Sequence, residues 1–250
     1  MPAPDGRLTT LTFDFWNTLY SAEGGTWTEV APYRRGALRE MLVAAGKQPS
    51  EAELDRVYKA GFDAYMQAWT GGCHFGAREQ ALFFLDQFGV AVESVDAEVM
   101  ESTIAKVEES ARLGRLPLVA GAAETIPLLR AAGYRLGLIS DTSLTPGRVL
   151  KEFMHDDGLL EHFSVLTFSD ETGYCKPDAR MFLRTVQGLD GTTNRAAHVG
   201  DIPRTDVAGA QAVGMATVRC AAVNDHTEEP QADFVIRDHR ELPAILERLG

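Results

Sequence analysis

The sequence is poor in cysteine, positive charge and long apolar runs. Cys73, Cys175 and Cys220 are its only cysteines and stand far apart with no CxxC pairing. That spacing suits neither a disulfide framework nor a zinc site, and it fits reduced thiols in a cytoplasmic protein. Lysine and arginine number 24 against 36 aspartates and glutamates, a formal charge of -12. Such a surface excludes nucleic acid as the main partner, because a phosphate backbone calls for clustered cations. No stretch approaches the roughly 18 consecutive apolar residues of a membrane-spanning helix, and no basic segment leads into an apolar run at the N-terminus. The expected partner is a small anionic molecule, with no membrane and no nucleic acid, for a monomer or homodimer.

What is present is a switch of rhythm. Leu8 to Phe13 is a short apolar, β-branched run ending on Asp14, the pattern of a buried strand that presents a carboxylate at its C-terminal end. From Thr28 to about Leu113 the spacing becomes helical, broken at Gly46–Ser50, Gly71–Gly76 and Gly89–Val95, which predicts four helices. After Pro117 strands and helices alternate. Strands are expected at Tyr134–Ser140, Phe163–Phe168, Ala196–Val199, Ala216–Arg219 and Phe234–Ile236, and helices at Ala120–Ala132, Pro146–Met154, Asp178–Leu189, Asp206–Val213 and Glu241–Leu249. This predicts an α/β fold: a Rossmann-like, doubly wound parallel sheet core over residues 1–20 and 114–250, with an inserted helical cap domain over 21–113.

Four polar clusters fall at the ends of expected strands, and strand ends of one parallel sheet converge. They are Asp14 with Asn17 and Thr18; Ser140 with Asp141 and Thr142; Lys176 in GYCKPD; and Asp201 with Asp206 in HVGDIPRTD. Together they supply oxygen donors for a hard cation, one ammonium, one hydroxyl and a carboxylate nucleophile.

The segments LTFDFWNTL, LGLISDTS, GYCKPD followed by MF, and HVGDIPRTDVAGAQAVGM resemble, in order, the four motifs of the haloacid dehalogenase-like superfamily. The helical insert after the first motif is similar to that superfamily's C1-type cap. The resemblance implies a hydrolase with Mg2+ as cofactor. It implies Asp14 as nucleophile, Ser140 as the hydroxyl that binds the phosphoryl group and Lys176 as the catalytic lysine. Asp14, the main-chain carbonyl of Trp16, Asp201 and Asp206 are the implied metal set, with Asp206 either supporting the metal or pairing with the lysine. Trp16, Asn17, Asp141 and Thr142 are the expected substrate-binding residues.

One position departs from the pattern. The phosphatases of the superfamily carry an aspartate two residues after the nucleophile, where this chain has Trp16. Indole cannot protonate a leaving group, a loss that commonly costs on the order of a hundredfold to ten-thousandfold. The superfamily's dehalogenases carry an aromatic residue there, but the GD of the fourth motif belongs to a cation site that they lack. Three readings stay open: a phosphatase acting on a small metabolite with a good leaving group, a 2-haloacid dehalogenase-type hydrolase, and a catalytically weak binding or regulatory domain.

Overall fold

The computed structural model describes residues 7–249; residues 1–6 and 250, the ends of the expected core, lie outside them. The described chain separates into two compact units.

The first unit comprises residues 7–25, Leu116–Asp141 and 151–249. It is built on strands β1 (Thr10–Phe13), β2 (Arg135–Ser140), β3 (Phe163–Phe168), β4 (Ala196–Gly200), β5 (Ala216–Cys220) and β6 (Phe234–Ile236). All pair in parallel, in the order β3-β2-β1-β4-β5-β6. The chain steps outward from β1 to β3, then crosses to β4 beside β1 and steps out the other way. That reversal opens a crevice at the carboxyl ends of β1 and β4. Every residue of β1 and β4 is buried, which explains why, His198 apart, their sequences carry only small, apolar or β-branched residues. β1 begins at Thr10, two residues inside the run that the sequence suggests.

The second unit comprises Thr26–Arg115 and Thr142–Leu150. Its helices are α1 (Val30–Ala44), α2 (Glu51–Thr70), α3 (Ala77–Gln87) and α4 (Ala97–Glu109). Leu38, Met41, Leu42, Leu54, Phe84, Leu85 and Val107 form its core. Ser50 starts α2 with a capping box, its hydroxyl accepting from Glu53 N while the Glu53 carboxylate accepts from Ser50 N. The stretch 142–150 belongs with these helices although the strand-helix rhythm places it with the sheet. Leu144 packs on the helical core, and the half-buried Arg34 donates to Ser110 Oγ at 2.7 Å and to Thr145 Oγ1 at 3.0 Å. Burial holds the Arg34 guanidinium below its ordinary pKa.

Among the described residues the remaining α-helices are α5 (Ala122–Ala131), α6 (Gly147–Asp156), the short α7 (Ser169–Thr172), α8 (Ala179–Gly188), α9 (Ala208–Ala212) and α10 (Leu242–Leu249). The single helix expected over Asp206–Val213 is instead a π-helical turn, Pro203–Val207, running into α9. The wider turn seats Asp206 so that its carboxylate accepts from Ile202 N at 3.0 Å. Among the described residues no helix is long and apolar enough to cross a membrane.

Candidate active site

The carboxyl end of β1 is the first wall of the site. Asp14 N donates to Val199 O at 2.9 Å, extending the ladder one residue beyond the strand, after which the chain turns. Leu19 N and Tyr20 N both donate to Phe15 O, and Asn17 adopts a left-handed φ of 55° while its side-chain oxygen accepts from Ala22 N at 3.0 Å. Asn17 is thus engaged in building the turn. Thr18 O accepts from His239 Nε2 at 2.7 Å, tying the loop to the C-terminal part of the chain. The Trp16 ring is half-buried and meets Phe15 edge-on, with centroids 5.0 Å apart.

The second and third motifs meet through the backbone. Ser140 closes β2 fully buried, its hydroxyl donating to Asp141 O at 3.2 Å. The Asp141 carboxylate accepts from Lys176 N at 2.8 Å, fixing the loop that carries the lysine. Thr142 falls in the helical unit.

Lys176 is the hub. Its Nζ donates to Asp14 Oδ1 at 2.5 Å and to Asp206 Oδ1 at 2.6 Å, with all three side chains at most 5% exposed. Asp206 Oδ1 also faces His198 Nε2 at 3.1 Å, and Asp206 Oδ2 takes Ile202 N and, at 3.4 Å, the Thr205 hydroxyl. Gly200 makes room for this packing, since a Cβ there would overlap the Asp206 side chain. His198 lies outside the residues that the sequence singles out. Its only signal is a lone polar residue inside the apolar strand AAHVG.

Burial pushes the Asp14 carboxyl up to about 7; the Lys176 ammonium opposes the rise and the Asp206 charge adds to it. Asp201 goes well above the usual carboxylate range for the same first reason, reinforced by Asp14 and Asp206. Asp206 goes the other way: burial alone would raise it, but Lys176 and then His198 hold it low. Lys176 stays above its ordinary value because its carboxylate neighbours outweigh its burial. Burial holds His198 below its ordinary pKa.

The donor set fits a divalent cation. Asp14, Asp201 and Asp206 each offer a carboxylate oxygen, all within 4.8 Å of one another, and Asp201 Oδ2 is buried with no hydrogen-bond partner. Three crowded carboxylates against one ammonium leave negative charge that a hard, oxygen-seeking ion relieves. Of the three, Asp206 already has both oxygens in hydrogen bonds.

The haloacid dehalogenase-like hydrolase pattern matches residues 8–214. The phosphoserine phosphatase of Thermus thermophilus is 30% identical over 216 residues, covering 85% of this chain and 80% of that protein. The ribulose-1,5-bisphosphate 5-phosphatase of Halopiger xanaduensis is 33% identical over 123 residues, 49% of this chain and 48% of that one. The chain therefore spans about half the length of several relatives that it matches. In fold it is similar to a 2-haloacid dehalogenase from Pseudomonas syringae, with a TM-score of 0.67 at 20% identity over 97% of this chain and 100% of that one. A haloacid dehalogenase-like phosphatase from Thermococcus onnurineus gives 0.62 at 22% identity, over 96% of this chain and 98% of the other.

Proposed function

The chain belongs to the haloacid dehalogenase-like hydrolase family, and from that premise we propose that it is a magnesium-dependent phosphatase with Asp14 as nucleophile. Its substrate is a small phosphorylated molecule with a good leaving group. The observation that carries this reading is Lys176 bridging Asp14 and Asp206 inside a buried cluster of three carboxylates. Relatives at 30–33% identity are named as phosphatases, which supports the same choice.

In this mechanism an Asp14 carboxylate oxygen attacks phosphorus, the bond from phosphorus to the leaving oxygen breaks, and an aspartyl phosphate forms. Water then attacks that phosphorus, releasing phosphate and restoring Asp14. The Lys176 ammonium and the Ser140 hydroxyl hold phosphoryl oxygens and stabilise charge as it builds. Asp14, Asp201 and the Trp16 carbonyl are assigned to Mg2+, with Asp206 beside them as the lysine's anchor. When bound, the ion supplies charge neutralisation at the phosphoryl group and lets Asp14 ionise in its buried setting. Trp16 offers no proton to the leaving group, so an acyl phosphate or anhydride, which departs without one, fits better than an alkyl ester. The helical unit is assigned the role of cap, inserted in the chain between β1 and β2, where it selects the substrate.

Turnover of acetyl phosphate and p-nitrophenyl phosphate, with and without Mg2+, tests the proposal. Magnesium-dependent phosphate release that vanishes in Asp14→Asn is expected, while release that survives in that variant overturns the nucleophile. Trp16 also suits a halide leaving group, so magnesium-independent chloride release from L-2-chloropropionate would replace phosphoryl transfer by dehalogenation. In Trp16→Asp, hydrolysis of an unactivated alkyl phosphate should rise roughly tenfold or more.

A further inference from the structure

Parallel pairing of β1 with β4 sets Thr12 opposite His198, so the two side chains leave the sheet on the same face. Thr12 Oγ1 lies 2.8 Å from His198 Nδ1, and His198 Nε2 lies 3.1 Å from Asp206 Oδ1. The same Asp206 oxygen accepts from Lys176 Nζ, which also donates to Asp14 Oδ1. One buried chain of hydrogen bonds therefore runs from the middle of the sheet to the nucleophile.

The direction of each bond follows from its far end. Asp206 is an ionised acceptor of the Lys176 ammonium, so a nitrogen facing it must carry a hydrogen. In a neutral ring that makes Nε2 the donor and Nδ1 the acceptor, which obliges the Thr12 hydroxyl to donate to Nδ1. The opposite tautomer would aim a nitrogen lone pair at a carboxylate. The ring is also held sterically. Phe182 meets it edge-on, with centroids 5.1 Å apart, and Phe182 itself fills space that a side chain at Gly209 would occupy.

We propose that Thr12 and His198 are positioning residues for the reaction: His198, locked by Thr12 as the Nε2–H tautomer, holds the Asp206 carboxylate so that Lys176 stays on Asp14. An ammonium has three N–H groups, and Asp14 and Asp206 take two of them. The third is left for a phosphoryl oxygen of the proposed substrate. Without His198, Asp206 Oδ2 stays on Ile202 N but Oδ1 keeps only the lysine as its partner, so Oδ1 can shift and carry the lysine with it. The catalytic consequence rests on the reading of Asp14 as nucleophile; the order of hydrogen bonds does not.

The test joins a spectroscopic and a kinetic readout on the full chain. With 15N-labelled histidine, His198 is identified by its loss in His198→Gln, and its two nitrogens report the tautomer. A protonated Nε2 and a hydrogen-bonded Nδ1 are expected, and Thr12→Val, which keeps the shape and removes the hydroxyl, should move Nδ1 towards its unbonded position. A proton on Nδ1 in the unaltered protein, or a Thr12→Val spectrum with Nδ1 unmoved, overturns the proposal. With acetyl phosphate, His198→Leu should lower kcat roughly 10- to 100-fold while KM stays within about threefold. His198→Gln, which keeps an N–H for Asp206, should recover most of the loss. A folded His198→Leu with undiminished kcat also overturns it, and Thr12→Val takes over the kinetic arm where His198→Leu does not fold. Should the unaltered protein turn over no phosphate probe, the proposed reaction falls and the spectra still decide the hydrogen-bond order.

Discussion

The helical unit and the sheet unit bury polar groups for different ends. In the helices the buried hydroxyls close local bonds, Thr103 to Val99 O at 2.8 Å and Ser110 to Val107 O at 2.6 Å, while ion pairs such as Arg39–Glu51 and Arg78–Glu101 stay at the surface. Beyond the strand ends of the sheet unit the chain buries ionisable side chains, Asp14, Lys176, Asp201 and Asp206, alongside His198. Burying an ion costs several kcal/mol unless its partners are in place. The difference separates a region shaped for stability from one that sacrifices stability for chemistry, and it gives each region its own sensitivity to substitution.

The sharpest break is Lys176→Met, which leaves Asp14 and Asp206 buried without their counter-charge. Urea unfolding without added metal should show a loss of about 3–5 kcal/mol, together with loss of turnover. A variant as stable as the unaltered protein would mean that the carboxylates are relieved by protonation alone.

The Asp14 carboxyl gives a pH dependence of determinable sign. Its value in the fold, about 7, lies above the ordinary 3.8, so the folded protein keeps a proton there that the unfolded chain releases. Stability from this group is present at low pH and is lost as pH rises through about 7. Asp14→Asn has no such loss. In metal-free buffer its stability relative to the unaltered protein should therefore climb by roughly 2–3 kcal/mol between about pH 5 and pH 8. Thermal melts at both pH values check this, and a flat difference would place Asp14 among ordinary carboxylates.

Gly200→Ala should cost about 1–3 kcal/mol by overpacking, because the added carbon overlaps Asp206. It should cost more in turnover than in stability, since it displaces the lysine's anchor; a kcat unchanged in a folded Gly200→Ala variant would detach Asp206 from the chemistry. Smallest of all, Arg39→Ala in the helical unit breaks a pair whose side chains are 48% and 62% exposed. Its effect on unfolding should stay under about 0.5 kcal/mol, with turnover unaltered, and a larger loss would show that the helical unit also leans on its charges.

Most of the architecture was legible from periodicity. The strands at Phe163–Phe168 and Phe234–Ile236 fall where their apolar, β-branched runs end, and the others begin or end within two residues of expectation. Gly and Pro breaks likewise separate α1 to α4. The π-helical turn at Pro203–Val207 was not legible, because it is set by where the Asp206 carboxylate must sit and not by any local pattern. Among the site residues, Asp14, Lys176, Asp201 and Asp206 announce themselves as charges at strand ends. His198 does not, since its meaning depends on Thr12, 186 residues away in sequence.

The sequence by itself determined the fold class, the identity of the charged groups and the missing acid at Trp16, because apolar period and residue chemistry are local properties. Only the tertiary structure decided how those charges are shared. Asp206 is the lysine's anchor with both oxygens engaged, while Asp201 keeps a buried oxygen without a partner. That division arises from distances of a few ångströms between residues far apart in the chain, which depend on strand register and burial and leave no mark in composition or spacing.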